Sequence, residues 1–114
     1  LGDAHVFASE TCALDIVGAT FVRDVEPGEV IAVSTAGVHS AFPLARQEQR
    51  RCVFEHVYFA RPDSRIFGGS VDRARRALGR QLARECPAPT AELVFNVPDS
   101  SNSAALGFAE EAGI

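Results

Sequence analysis

Pro98-Asp99-Ser100-Ser101-Asn102-Ser103 gathers a carboxylate, three hydroxyls and an amide within six residues. It stands between the apolar run ELVFNV (92–97) and a stretch kept slim by Ala104, Ala105 and Gly107. Two kinds of chemistry suit such a segment. A loop that leaves a parallel strand and enters a helix is where open α/β sheets bind ligands. The free N–H groups and positive dipole end of the helix then attract phosphate, and serine hydroxyls add donors or reach a metal. Alternatively, Asp99 and the serines simply cap the helix. Pattern alone leaves both readings standing, because the stretch is neither a Walker loop nor GxGxxG.

The other chemistry-bearing residues are scattered. Cys12, Cys52 and Cys86 are odd in number and widely spaced, with no CxxC, so zinc is not indicated. A disulfide framework does not suit a chain this apolar. For each cysteine the plain expectation is a small buried hydrophobe. His5, His39 and His56 show no metal-ligand spacing and suit surface or packing roles.

The elements that must position these groups are legible in part. HVFAS (5–9) suits a short strand, and SETCALDIVG a short helix with Ser9 as N-cap and Gly18 as its close. TFVRDV (20–25) and VIAVST (30–35), joined by Glu26-Pro27-Gly28-Glu29, predict a hairpin; VHSAFPL suits a third, weaker strand. ARQEQRR (45–51) is polar and coreless, and marks a domain boundary. Beyond it, Phe54, Val57 and Tyr58 fall at helical spacing. Ser70 caps a helix predicted over 71–85, with Asp72 near its positive end and Val71, Ala74, Leu78 and Leu82 as its apolar stripe. Arg73, Arg76, Arg80 and Arg84 lie mostly off that stripe, as a solvated face. ELVFNV predicts a strand inside a mostly parallel sheet, and a helix over about 102–112 stops at Gly113. The fold class is α/β (α+β), with a β-rich first half.

The 114 residues carry 11 Lys+Arg, all of them Arg, against 15 Asp+Glu, a net charge of −4. That balance argues against nucleic acid as a partner. No apolar run is long enough to span a bilayer and no signal peptide is visible, so cytoplasm is the expected compartment. Leu1 is not an initiator Met, and Gly113-Ile114 falls where a helix ends, so a segment of a longer protein is expected.

SETCALDIVGA (9–19), VRDVEPGEV (22–30), CVFEHVYFARPDS (52–64), SVDRARRALGRQLARE (70–85) and VPDSSNSAALGFAEEAGI (97–114) follow in this order. In these blocks the chain resembles the glutamine phosphoribosylpyrophosphate amidotransferase (amidophosphoribosyltransferase) family along essentially its whole length. FEHVYFARPDS is the most specific piece. The resemblance implies that residues 1–49 end an N-terminal-nucleophile glutaminase domain and residues 50–114 begin a type I phosphoribosyltransferase domain. It implies an enzyme that makes 5-phosphoribosylamine, pyrophosphate and glutamate from phosphoribosylpyrophosphate, glutamine and water, the first step of de novo purine biosynthesis.

In the family, a cysteine at the mature N-terminus hydrolyses glutamine. The ammonia then displaces pyrophosphate, whose charge magnesium neutralises. The nucleophile and the phosphoribosylpyrophosphate fingerprint match nothing in this chain, so no catalytic residue is assigned and the segment alone is expected to be inactive. The resemblance places pyrophosphate at Asp99, Ser100 and Ser101, with Ser100 at the magnesium site, and so favours the anion cradle. Cys52 matches one of four ligands of a 4Fe–4S cluster found in one branch of the family. Glu55, Tyr58 and Arg61 flank the implied domain seam, where core and salt-bridge roles suit them. Purine-nucleotide feedback and a homo-oligomer are also implied. The alternative is a non-catalytic phosphoribosyl-binding or interaction module with a degenerate glutaminase half.

Overall fold

The computed structural model describes residues 2–114; of the expected 1–49 segment, Leu1 lies outside the described residues. The chain is mixed α/β, but its strands are few. β1 (Val30–Ser34) and β2 (Gly37–Ala41) form an antiparallel hairpin in which Val30 faces Ala41 and Ser34 faces Gly37. Thr35-Ala36 make its two-residue turn, where the Ala36 N–H donates to Ser34 Oγ. The hairpin expected over 20–35 is therefore corrected. VIAVS pairs forward, with the segment read as a weaker strand, and 20–25 joins no ladder.

The turn at 26–29 forms as expected, closed by the Glu29 N–H on Glu26 O. Its hub is the Glu29 carboxylate. Arg23 donates to both its oxygens at 2.6 and 2.8 Å, Ser40 Oγ donates at 2.5 Å, and the Glu26 N–H at 2.8 Å. Arg23, then Ser40, then the Glu26 N–H hold the Glu29 carboxyl down at about 2, from an ordinary 4.5. A depressed carboxyl stabilises the fold above its unfolded value and ceases to do so as pH falls through its folded one. The hub is thus expected to be intact above about pH 4.5 and to dissolve as pH falls towards 2. NMR titration of the Glu29 carboxyl checks this; a midpoint near 4.5 would contradict it.

α1 (Thr11–Ile16) begins one residue later than the Ser9 cap expected, with Glu10 at the N-cap and no side-chain cap bond. The Glu10 carboxylate reaches across the chain instead. It accepts the Arg61 N–H at 2.9 Å and Ser64 Oγ at 2.7 Å, while Thr11 Oγ1 accepts the Arg65 N–H at 2.8 Å. The Arg61 N–H first, and Ser64 next, hold the Glu10 carboxyl below its usual range. Glu10 and Thr11 therefore fasten α1 to the Arg61–Arg65 turn.

The aromatic block does turn helical, as a π-helix over Glu55–Phe59, but Phe54, Val57 and Tyr58 face solvent rather than a core. β3 (Arg65–Ile66) and β4 (Gly69–Ser70) close a tight hairpin on Phe67-Gly68, both at positive φ. α2 (Val71–Glu85) then starts where the Ser70 cap predicts, with Ser70 Oγ accepting the Arg73 N–H. α3 (Asn102–Ala112) stops at Gly113 in the left-handed conformation, also as predicted.

The buried face of α2 differs from the expected stripe. Val71, Arg75, Gly79 and Ala83 are buried, whereas Leu78 and Leu82 are exposed. α3 packs so closely that backbone meets backbone at Gly79 and Gly107. Flanking arginines are paired rather than simply solvated: Arg76 and Arg80 with Glu110, and Arg84 with Glu111. Such exposed pairs each contribute little, so the seam itself holds the two helices together.

ELVFNV is corrected as well. Residues 92–97 pair with no strand among the described residues, and Leu93, Phe95 and Val97 are 75–80% exposed. HVFAS (5–9) is likewise unpaired. A strand persists only where a neighbour takes its backbone groups, and the ladders among the described residues are the two short hairpins. The apolar core of the described residues is Cys12, Ala60, Val71 and Ala83. The radius of gyration is 18.9 Å, where a compact chain of this length has about 13 Å. The exposed surface is 8585 Å², against about 6,100 Å² for a compact monomer of this mass. No helix among the described residues is long and apolar enough to cross a membrane.

Candidate functional site

The 98–103 stretch divides into engaged and unengaged groups. Ser103, on the second residue of α3, is 6% exposed and donates its hydroxyl to Asp72 Oδ1 at 2.6 Å. It is not available to a ligand, contrary to what its place in PDSSNS suggests. Ser101 occupies the N-cap of α3 without a side-chain cap bond; its hydroxyl donates to Val97 O. The Asn102 N–H donates to Asp99 O at 3.3 Å, and the Ala105 N–H makes the first helical turn with Ser101 O. The Asp99 carboxylate and Ser100 hydroxyl have no hydrogen-bond partner among the described residues. Asp99 is exposed and Ser100 half-buried. The Pro98–Asp99 peptide is cis.

The simple capping reading therefore loses its mainstay, since no side chain caps α3. The loop instead offers a carboxylate and a hydroxyl on a turn that opens onto unpaired N–H groups at a helix start. These groups suit an anion, or a cation bound together with one. A hard cation such as magnesium takes oxygen donors, keeps several waters and shares a phosphate ligand. Ser100 and Asp99 fit as minor donors to such an ion. Among the described residues, no group of three His, Cys, Asp or Glu side chains converges on a cation.

The cysteines behave differently from one another. Cys12 is buried, with its thiol 3.8 Å from Glu10 Oε2. Cys52 and Cys86 are exposed, which corrects the expectation of a buried thiol for both. One thiolate at Cys52 is a quarter of what a 4Fe–4S cluster needs, so the residues of this chain do not by themselves fit that cluster. Arg61 pairs with Asp63, the salt-bridge role expected of it. A groove lined by Phe7, Phe21, Val25, Ile31 and Val38 lies elsewhere and includes none of 98–103.

No family model matches the chain. Amidophosphoribosyltransferase of Mycobacterium tuberculosis is 57% identical over 109 residues, 96% of this chain and 20% of that protein. The enzyme of Bacillus subtilis is 50% identical over 114 residues, all of this chain and 24% of that protein. The chain is similar to one segment of amidophosphoribosyltransferase. Solved structures agree. Glutamine phosphoribosylpyrophosphate amidotransferase from B. subtilis, complexed with ADP and GMP, matches with a TM-score of 0.85 at 48% identity, over 93% of this chain and 23% of that chain. A structure described as the allosteric regulatory enzyme of purine biosynthesis matches equally well. The chain thus spans about a fifth to a quarter of these amidophosphoribosyltransferases.

Two buried or half-buried anchoring residues of α2 escape the sequence, one holding α3 beside the loop and one holding the π-helix. Asp72 is legible only as a dipole partner, although it receives Ser103. Arg75 carries no sequence signal at all, because its partners are the backbone carbonyls of His56 and Ala60.

Proposed function

We propose that the chain is the junction of a glutamine-dependent amidophosphoribosyltransferase. Residues 1–49 end its glutaminase domain and residues 50–114 open its phosphoribosyltransferase domain. The whole enzyme would form phosphoribosylamine, pyrophosphate and glutamate from phosphoribosylpyrophosphate, glutamine and water. Residues 98–101 receive the pyrophosphate group. The observation that carries this reading is the unengaged Asp99–Ser100 pair on an uncapped helix start, in a chain similar to that enzyme.

In this role the Ser100 hydroxyl donates to a pyrophosphate oxygen, and Ser101 offers its N–H, its own hydroxyl being turned to Val97 O. Asp99 holds water or metal on the same face. Magnesium, when bound, neutralises the leaving pyrophosphate. Cys52 supplies a single thiolate to a 4Fe–4S cluster if three others lie outside this segment. Purine-nucleotide feedback and homo-oligomeric assembly belong to the same reading, and ADP and GMP accompany the B. subtilis structure. The segment alone is expected to turn over neither substrate.

Ser100→Ala in the full-length protein tests the site. One hydrogen bond to a charged oxygen contributes about 1.5–3 kcal/mol, so KM for phosphoribosylpyrophosphate should rise at least about tenfold. An unchanged KM and pyrophosphate affinity would remove the loop from the site.

A further inference from the structure

We propose that Asp72 is a positioning residue for the 98–101 loop, acting through the hydroxyl of Ser103. The proposal rests on the reading of that loop as a pyrophosphate cradle and adds the element that holds it in place.

Asp72 fastens three pieces of the fold at once. Its N–H donates to Pro62 O at 3.1 Å, tying α2 to the Arg61–Arg65 turn. Its Oδ2 accepts Arg76 Nε at 2.9 Å, one turn along the same helix. Its Oδ1 accepts Ser103 Oγ at 2.6 Å, within the short range of a charge-assisted bond. Ser103 is two residues beyond Ser101, so this bond clamps the exit of the loop. Ser103 first, and Arg76 after it, hold the Asp72 carboxyl below its usual range, so it is ionised at neutral pH.

The geometry also says which end of α3 depends on the clamp. Gly79 meets the backbone of Ala104 in the first turn of α3 and Gly107 meets that of Arg76, while Arg76, Arg80 and Arg84 pin Glu110 and Glu111 at the far end. Ser103–Asp72 ties the near end of α3 to α2, whereas Asn102 and Ser101 hydrogen-bond back to Asn96 and Val97. Losing the Ser103–Asp72 bond removes the polar tie between α2 and the residue that follows the loop, while the backbone contact of Gly79 with Ala104 and the far-end ion pairs remain. Arg76 pairs with Asp72 and so lessens the field of its carboxylate.

The test measures binding of inorganic pyrophosphate, with magnesium, to the full-length protein. Ser103→Ala and Asp72→Asn should each weaken binding about fivefold, and the double variant should be no worse than either single. Ser103→Thr, which keeps the hydroxyl, should bind within about twofold of the parent; a merely structural loss would follow the melting temperature instead. If Asp72→Asn does not fold, the two Ser103 variants decide. Binding within twofold for Ser103→Ala, alongside a large loss for Ser100→Ala, overturns the positioning role and leaves the loop reading intact. Additive losses in the double variant overturn it too. Parent-like binding by Ser100→Ala removes the loop reading, and the role of Asp72 with it.

Discussion

Gly107→Ala is expected to prise α3 from α2 and lower stability by about 1–3 kcal/mol, the range for forcing an extra methyl into a packed seam. The ordinary rule runs the other way: inside a helix, alanine is better than glycine by about 0.5–1 kcal/mol. The sign reverses here because of what the methyl meets. A Cβ on Gly107 would lie 2.1 Å from Arg76 O, and one on Gly79 would lie 1.9 Å from Ala104 O and 2.9 Å from Phe108 N. These are backbone atoms of a neighbouring helix, so no flexible side chain can swing aside. The helices must separate, and the Arg76–Glu110 and Arg84–Glu111 pairs then stretch. Because both glycines serve one contact, Gly79→Ala should cost a similar amount, and the double variant less than the sum. Denaturant unfolding reads the effect as a lower midpoint at unchanged slope. An alanine variant as stable as its parent would show that the helices do not approach this closely.

The seam also explains which parts of the fold the sequence discloses. α2 is legible end to end because its signals are local: Ser70 caps it, Asp72 suits its dipole, and Pro87 follows it. α3 and its Gly113 stop are legible for the same reason. The buried face of α2 is not. Hydrophobicity selects Leu78 and Leu82, whereas the neighbouring helix selects the small residues that let backbones approach. The small residues Gly79 and Ala83 on α2 and Gly107 on α3 were the available signal. Strands fail differently. The apolar character of 92–97 is real, but pairing is a property of two segments, and none of the described residues supplies the second. At the loop, spacing marks Asp99 to Ser103 as chemically able but cannot say which hydroxyls are already engaged. Ser103 and Ser100 look alike in sequence; a carboxylate thirty-one positions away separates them.

Arg75→Met is expected to destabilise the protein by about 3 kcal/mol, the combined effect of orphaning one buried and one half-buried carbonyl. Arg75 is 3% exposed, yet among the described residues its hydrogen-bond partners are carbonyls and not a carboxylate. Its Nε donates to His56 O at 2.6 Å and its Nη2 to Ala60 O at 2.7 Å. The reason lies in how the π-helix ends. The Ala60 N–H donates to Glu55 O, five residues back. Continuing that pattern would send the Arg61 N–H to His56 O, but the Glu10 carboxylate takes it instead. His56 O is left without a helical partner, and the guanidinium of Arg75 supplies one. A planar fork can serve two carbonyls at fixed spacing, which a single ammonium does less well, so Arg75→Lys should recover only part of the loss. Methionine keeps the stem and removes the donors, which separates hydrogen bonding from packing. Hydrogen exchange at the Ala60 amide should quicken in Arg75→Met as the π-helix loosens. Unchanged protection there, with stability within about 1 kcal/mol of the parent, would mean that solvent can satisfy these carbonyls and that Arg75 is not what terminates the helix.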